Sequence, residues 1–284
     1  MTILDALEKA KKMRETRSGA AVSDPVARAP ATRVVRRHGT HQDLAPATTI
    51  DLPQLALDRA VCESNRVLLS TDQAYRFSAT VDAYRILRTR LMQAWSGDID
   101  KAPAFGLISA GAGEGKTVTG INLAFACARE KKRNVFLLDL DLRNPSVCRY
   151  LGVSPPTEIG SVLLGKAEPR DALFGVGIDN LVISGGLTSY ENSSELLGGP
   201  GMSALFDHIL SIDPQALIIV DLPPVLLAAD ALAVTPRLSA VVLVVSEGHT
   251  RRVQLNRAVE VLSGVKIAGI VLNRSRESVE DYYS

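Results

Sequence analysis

The chain has 284 residues, 46% of them hydrophobic, and a formal net charge of +1, which leaves room for one large α/β domain plus an appendage and no global field for nucleic acid. Cys62, Cys127 and Cys148 are odd in number, widely spaced and free of metal-ligand spacing, so they exclude a disulfide scaffold and fit a reducing compartment. No apolar run approaches the roughly 20 residues that cross a bilayer. The opening M-T-I-L-D-A-L-E-K carries acids and no apolar h-region, so it does not read as a secretory signal, and a soluble cytoplasmic protein is expected.

Taken in chain order, residues 1–15 read as a short amphipathic helix. Ile3, Leu7, Ala10 and Met13 fall near one face, Lys9, Lys11, Lys12 and Arg14 on much of the rest, and Thr2 suits the N-cap. Such a helix is barely stable alone, so it is either a marginal tip or a docking element for a partner or an anionic membrane surface. Residues 16–77 are expected to be a mostly disordered linker. Up to Pro53 they are rich in Ala, Ser, Thr, Pro and Arg with almost no large apolar residues. Arg33, Arg36 and Arg37 there read first as solvated linker charge and second as a contact for membrane lipid.

From residue 78 the pattern becomes helical, with Val81, Tyr84, Leu87, Leu91 and Trp95 at three- and four-residue spacing. Strands are then expected at 104–109, 133–139, 181–184, 216–222, 240–246 and 266–272. Most are continuous apolar runs, the pattern of strands buried on both faces. The expectation for residues 78–275 is an α/β fold with a doubly wound, mostly parallel sheet, whose ligands sit at the carboxyl ends of the strands. Residues 276–284 form a C-terminal tail.

The stretch Ser109-Ala-Gly-Ala-Gly-Glu-Gly-Lys-Thr117 lies between the first strand and a helix. A glycine-rich turn there aims successive backbone N–H groups into one concavity, and the helix N-terminus adds partial positive charge. Gly111, Ala112, Gly113, Glu114, Gly115, Lys116, Thr117 and Val118 are the nucleotide-binding candidates. Lys116 reaches β/γ-phosphates and the Thr117 hydroxyl ligates Mg²⁺ in such loops. Ala110 stands where the usual pattern has its first glycine, and three glycines after it keep the backbone free.

Two further strands end in acids. One delivers Asp139, Asp141 and Arg143, the other Asp221 followed by Leu222, Pro223 and Pro224. An acid where a buried strand surfaces is costly without a cation or donors nearby. Mg²⁺ keeps several waters and takes few protein oxygens, so Thr117, Asp139, Asp141 and Asp221 are the metal candidates. Asp221 suits a water-mediated role. His38, His41, His208 and His249 are scattered and read as surface residues.

Together these motifs resemble the bacterial tyrosine kinases of polysaccharide export, the BY-kinases, within the MinD/ParA-like P-loop ATPases. The likeness covers residues 78–284. It rests on Leu137-Leu-Asp-Leu-Asp-Leu-Arg143, on Asp221-Leu-Pro-Pro224, and on the G-E-G-K-T of the phosphate loop. MinD- and ParA-type ATPases carry a signature lysine five residues before the loop lysine, and here that position is Gly111. Asp82-Ala-Tyr-Arg85-Ile-Leu-Arg88 resembles the family's E-x-x-R-x-x-R helix, which implies a homo-oligomeric ring through Asp82, Arg85 and Arg88. Asn192-Ser-Ser-Glu-Leu-Leu197 resembles an N-P-x-E-L-L segment. Val271-Leu-Asn-Arg274 resembles the strand end whose Asn meets the purine base, which makes Asn273 the adenine candidate or, alternatively, a turn cap.

The family's tyrosine-rich tail is its phosphorylation target, and this chain ends Ser278-Val-Glu-Asp-Tyr-Tyr-Ser284. The resemblance therefore implies ATP and Mg²⁺ as cofactors and Tyr282 and Tyr283 as phosphoacceptors. Lys116, Asp139, Asp141 and Asp221 are the catalytic set, with Arg143 bracing the acids. It also implies a membrane-embedded polysaccharide co-polymerase-type activator, a cognate tyrosine phosphatase, a peripheral place at the inner face of the membrane, and a role in exopolysaccharide or capsule synthesis. The alternative is a MinD/ParA-like switch ATPase that positions a membrane or assembly partner without kinase activity. The missing signature lysine speaks against that reading, and the thin tyrosine tail for it.

Overall fold

The computed structural model describes residues 50–69, 79–95 and 102–275. The helix expected at residues 1–15, the linker up to residue 49 and the tyrosine tail lie outside the described residues. Among those described, no helix is long and apolar enough to cross a membrane.

The described strands form one sheet: β1 (Ala104–Ser109), β2 (Val135–Asp139), β3 (Phe174–Gly175), β4 (Leu181–Ser184), β5 (Leu217–Asp221), β6 (Ala240–Ser246) and β7 (Ile267–Asn273). Their spatial order is β3-β4-β2-β5-β1-β6-β7. Every pairing is parallel except the short β3 against β4. The helices are α1 (Arg59–Ser64), α2 (Ala79–Ala94), α3 (Lys116–Ala128), α4 (Val147–Leu151), α5 (Ile159–Leu163), α6 (Ser193–Gly198), α7 (Pro200–Ile212), α8 (Asp230–Val234) and α9 (Arg252–Val261).

The continuous apolar runs become strands because both faces of the sheet are covered. Successive side chains of a strand point to opposite faces. Phe136 and Leu138 join the core under α5, α7 and α8, while Val135 and Leu137 join the other core, under α3 and α4. Ile218 and Val220 divide from Leu217 and Ile219 in the same way. β2 and β5 are buried along their whole lengths, whereas β7, at the sheet edge, is only half-buried. Strand positions match expectation to within two residues, apart from β3, a two-residue antiparallel edge too short to leave a periodic signal.

One boundary moves. Residues 50–69, assigned by composition to the linker, form a strap that belongs to the domain. Gln54 bridges in parallel to Gly175; the Leu55 amide donates to the Gly175 carbonyl and the Gly175 amide to the Pro53 carbonyl, both at 2.9 Å. Asp58 caps α1 by accepting from the Val61 amide at 3.1 Å, and Cys62 on α1 is fully buried. The strap then reaches α3. The Asn122 side chain accepts from the Leu68 amide at 2.8 Å and donates to the Arg66 carbonyl at 3.0 Å. Three apolar residues, Cys62, Val67 and Leu69, are buried on the way, and that burial is what the linker composition up to Pro53 does not reveal.

Candidate active site

The strand order places β5 between β1 and β2, so three carboxyl ends converge. Asp139 and Asp221 are register partners on β2 and β5, and Leu107 of β1 lies opposite Asp221. The phosphate loop leaves β1 just beyond. Its backbone turns through Gly113 (φ +74°) and Gly115 (φ +92°), and Gly115 opens α3 from the left-handed region. A Cβ at Gly115 would also lie 2.0 Å from the Asn273 side chain, so glycine is required there twice over.

Glu114 is not a loose loop residue. Its buried carboxylate accepts from the Ala110 amide at 3.0 Å and from the Thr250 hydroxyl at 2.8 Å. Asn273 donates through Nδ2 to the Glu114 carbonyl at 2.9 Å, and its Oδ1 accepts from the Arg274 amide at 2.9 Å. The end of β7 therefore braces the loop from behind. Gly111 and Val118 are half-buried and Ala112 and Gly113 exposed, which leaves the loop's outer rim open to a ligand.

Lys116 is buried, and its Nζ donates to Asp141 Oδ2 at 2.7 Å and to Asp221 Oδ1 at 3.5 Å. Thr117 donates its hydroxyl to Asp221 Oδ2 at 2.6 Å and lies 3.2 Å from the Ser146 hydroxyl. Asp139 Oδ2 accepts from the Ser146 and Val147 amides, each at 2.8 Å, and so caps α4; Asp139 Oδ1 accepts from the Asp141 amide at 3.3 Å. All the sequence-derived catalytic candidates meet within this cluster. Ser146 was not among them; its only sequence signal is a hydroxyl residue at the start of a helix after the D-L-D-L-R segment.

The cluster carries more negative than positive charge. Burial alone would lower the Lys116 ammonium, but Asp221, Asp141 and Asp139 outweigh it and hold the lysine firmly charged. Burial, reinforced by the neighbouring Asp221 carboxylate, pushes the Asp139 carboxyl up to about 7 against the pull of its amide donors and Lys116. Asp221 is also raised, chiefly by burial. Among the described residues no three acids, histidines or cysteines are arranged as a ready metal cage, but the hydrogen-bonded Thr117 hydroxyl and Asp221 carboxylate are the kind of oxygen pair that a cation keeping several of its waters takes. Thr117 and Asp221 are the groups that would hold Mg²⁺ and its water.

Arg143 departs from expectation. It does not brace Asp139 or Asp141; its Nε donates to Asp230 Oδ2 at 2.8 Å. Buried Asp230 also accepts from the Ser193 and Ser194 hydroxyls at the start of α6. Neither Asp230 nor this cluster was legible from motif spacing, since its members are 36 to 87 residues apart. The assembly candidates divide. Asp82 and Arg85 are exposed and paired with each other at 2.8 Å. Arg88 turns inward, donating to the Ala126 carbonyl at 2.9 Å and pairing with Glu130 at 2.7 Å, so it caps the far end of α3.

No protein-family model matches the chain. The tyrosine-protein kinase YwqD of Bacillus subtilis is 31% identical over 210 residues, which are 72% of this chain and 86% of that one. The kinase domain of the Escherichia coli tyrosine kinase ETK superposes with a TM-score of 0.64 at 26% identity, over 82% of this chain and 84% of that one. The cell division ATPase MinD of Pyrococcus furiosus shares the fold with a TM-score of 0.53 at 26% identity, over 63% and 74%. A phosphate loop facing two acid-tipped strands, on this sheet order and with these relatives, means that the chain belongs to the bacterial tyrosine-protein kinases, built on the MinD-like P-loop fold.

Proposed function

We propose that the chain is an ATP- and Mg²⁺-dependent autokinase that phosphorylates Tyr282 and Tyr283 and regulates exopolysaccharide or capsule synthesis. The observation that carries this is the convergence of Lys116, Thr117, Asp139, Asp141 and Asp221 at one sheet edge.

Phosphoryl transfer needs alignment and charge neutralisation more than covalent chemistry. The loop amides and Lys116 would grip the β- and γ-phosphates, with Lys116 giving up its contact to Asp141. Mg²⁺, when bound, would neutralise charge on the phosphoryl oxygens, held by the Thr117 hydroxyl and, through water, by Asp221. Tyrosine has a reference pKa of about 10, so about one in a thousand is phenolate near neutrality. Asp139 or Asp141 would accept the phenolic proton as the new O–P bond forms and the bond from the γ-phosphorus to the β–γ bridging oxygen breaks, ADP taking that oxygen as it leaves, while the other acid would support the cation. Asn273, packed behind the loop, would contact the base only by way of its unused N–H.

In this reading the nine residues from Asn273 to Tyr282 span at most about 30 Å when extended. That length permits the tail to reach its own site or a neighbour's. In the same reading transfer runs in trans within a ring, a membrane-embedded co-polymerase-type protein activates the kinase and holds it at the membrane's inner face, and a cognate phosphatase reverses the reaction. The N-terminal helix expected at residues 1–15 is our candidate contact for the activator. Full activation of a chain lacking residues 1–50 would rule that contact out.

Separate Asp139→Asn and Asp141→Asn variants test the base. Single-turnover transfer from prebound Mg-ATP should fall at least about a hundredfold in the variant that lost it. Transfer unchanged in both would defeat the assignment.

A further inference from the structure

The Asp230 cluster lies beside the catalytic acids yet has no part in the chemistry above. Asp230, with a side chain 1% exposed, takes three donors from two other elements: Arg143 Nε and the hydroxyls of Ser193 and Ser194. A carboxylate so saturated is a fixed anchor. Arg143, by contrast, is half exposed and uses only Nε. Its two terminal amino groups have no hydrogen-bond partner among the described residues. A guanidinium pinned through Nε keeps its planar fork oriented for a carboxylate. Arg143 stands two residues beyond Asp141, and both Asp141 and the exposed Glu191 act on it electrostatically.

We infer that Asp230 is a positioning residue that holds Arg143 as a recognition group for carboxylates flanking the acceptor tyrosine. The site would then select acidic tyrosine segments. The chemistry of the tail fits, because Glu280 and Asp281 immediately precede Tyr282. Consecutive Cα atoms are 3.8 Å apart, so a tyrosine hydroxyl brought to the acids beside Lys116 carries its neighbouring carboxylates within reach of an arginine next to them. The inference rests on the tail-kinase reading above.

The test uses the full chain and two synthetic peptides, S-V-E-D-Y-Y-S and its neutral counterpart S-V-Q-N-Y-Y-S. Peptide affinity is measured with Mg-ADP present, and phosphorylation with Mg-ATP and an activator segment. The wild-type chain should favour the acidic peptide about tenfold in kcat/KM, through KM, as one charge-assisted hydrogen bond allows. Arg143→Gln should bring that preference to within about twofold. Asp230→Asn should weaken it by raising KM for the acidic peptide alone; if that variant fails to fold, Arg143→Gln decides. An equal loss on both peptides in Arg143→Gln overturns the inference. Phosphorylation of both peptides with equal efficiency overturns it while sparing the kinase reading. Charge-selective binding without any phosphate on tyrosine supports the clamp and sinks the tail-kinase reading. Binding of neither peptide overturns the clamp.

Discussion

At the scale of single residues, the site is a charge imbalance held in place by geometry. Lys116 and the three acids were legible because phosphate loops and strand-end acids have fixed spacing along the chain. Ser146, Asp230 and the Glu114–Thr250 contact were not, because each joins elements far apart in sequence. Gly115 gives a sharp test. Gly115→Ala meets both the left-handed backbone and the Asn273 side chain, and should weaken ADP binding by at least about tenfold in calorimetry. Asp230 gives a pH test. Burial raises its carboxyl, but the hydrogen bond to Arg143 and the two serine hydroxyls outweigh burial and hold it below the usual carboxylate range. Its ionised form therefore stabilises the fold above the unfolded pKa of about 4, and that contribution is lost as pH falls through the lower folded value. Unfolding followed from pH 5 down to pH 2 should show a steeper loss of stability for wild type than for Asp230→Asn.

At the scale of elements, the strap of residues 50–69 shows where composition misleads. The stretch before it is poor in large apolar residues, yet Leu55, Leu57, Cys62, Val67 and Leu69 recur through it and pack on α3 and α4. A linker boundary drawn on average composition misses such a signal. Asn122 makes the connection to α3 specific, satisfying one backbone donor and one backbone acceptor of the strap while 3% exposed. Asn122→Ala leaves both without that partner, and should cost about 2–4 kcal/mol in urea unfolding. A cost below about 0.5 kcal/mol would mean that the strap is not anchored there. The sheet was far easier to read. Its strands are buried on both faces, so the apolar runs are unbroken and the turn residues mark their ends.

At the scale of the whole molecule, the three residues proposed for assembly are held differently by the single chain. Asp82 and Arg85 are free to trade their mutual ion pair for one across a subunit boundary, and an exposed i,i+3 pair contributes little to the fold. Converting both to alanine should reduce ring formation in analytical ultracentrifugation and leave the thermal midpoint within about 2 °C. Arg88 is tied to α3, so Arg88→Ala should lower the stability of the single chain by about 1–2 kcal/mol. The reverse pattern, with stability lost in the first variant and assembly alone lost in the second, would refute the division.

The reaction proposed for this site moves phosphate from ATP to the chain's own terminal tyrosines. The most direct test is phosphosite mass spectrometry on the purified full chain after incubation with Mg-ATP and an activator segment, with Lys116→Met and a Tyr282→Phe/Tyr283→Phe double variant treated alongside. Phosphate is expected on Tyr282 and Tyr283 in wild type and none on tyrosine in Lys116→Met. Phosphotyrosine that persists in Lys116→Met, or ATP hydrolysis that depends on Lys116 but never labels tyrosine, would contradict it.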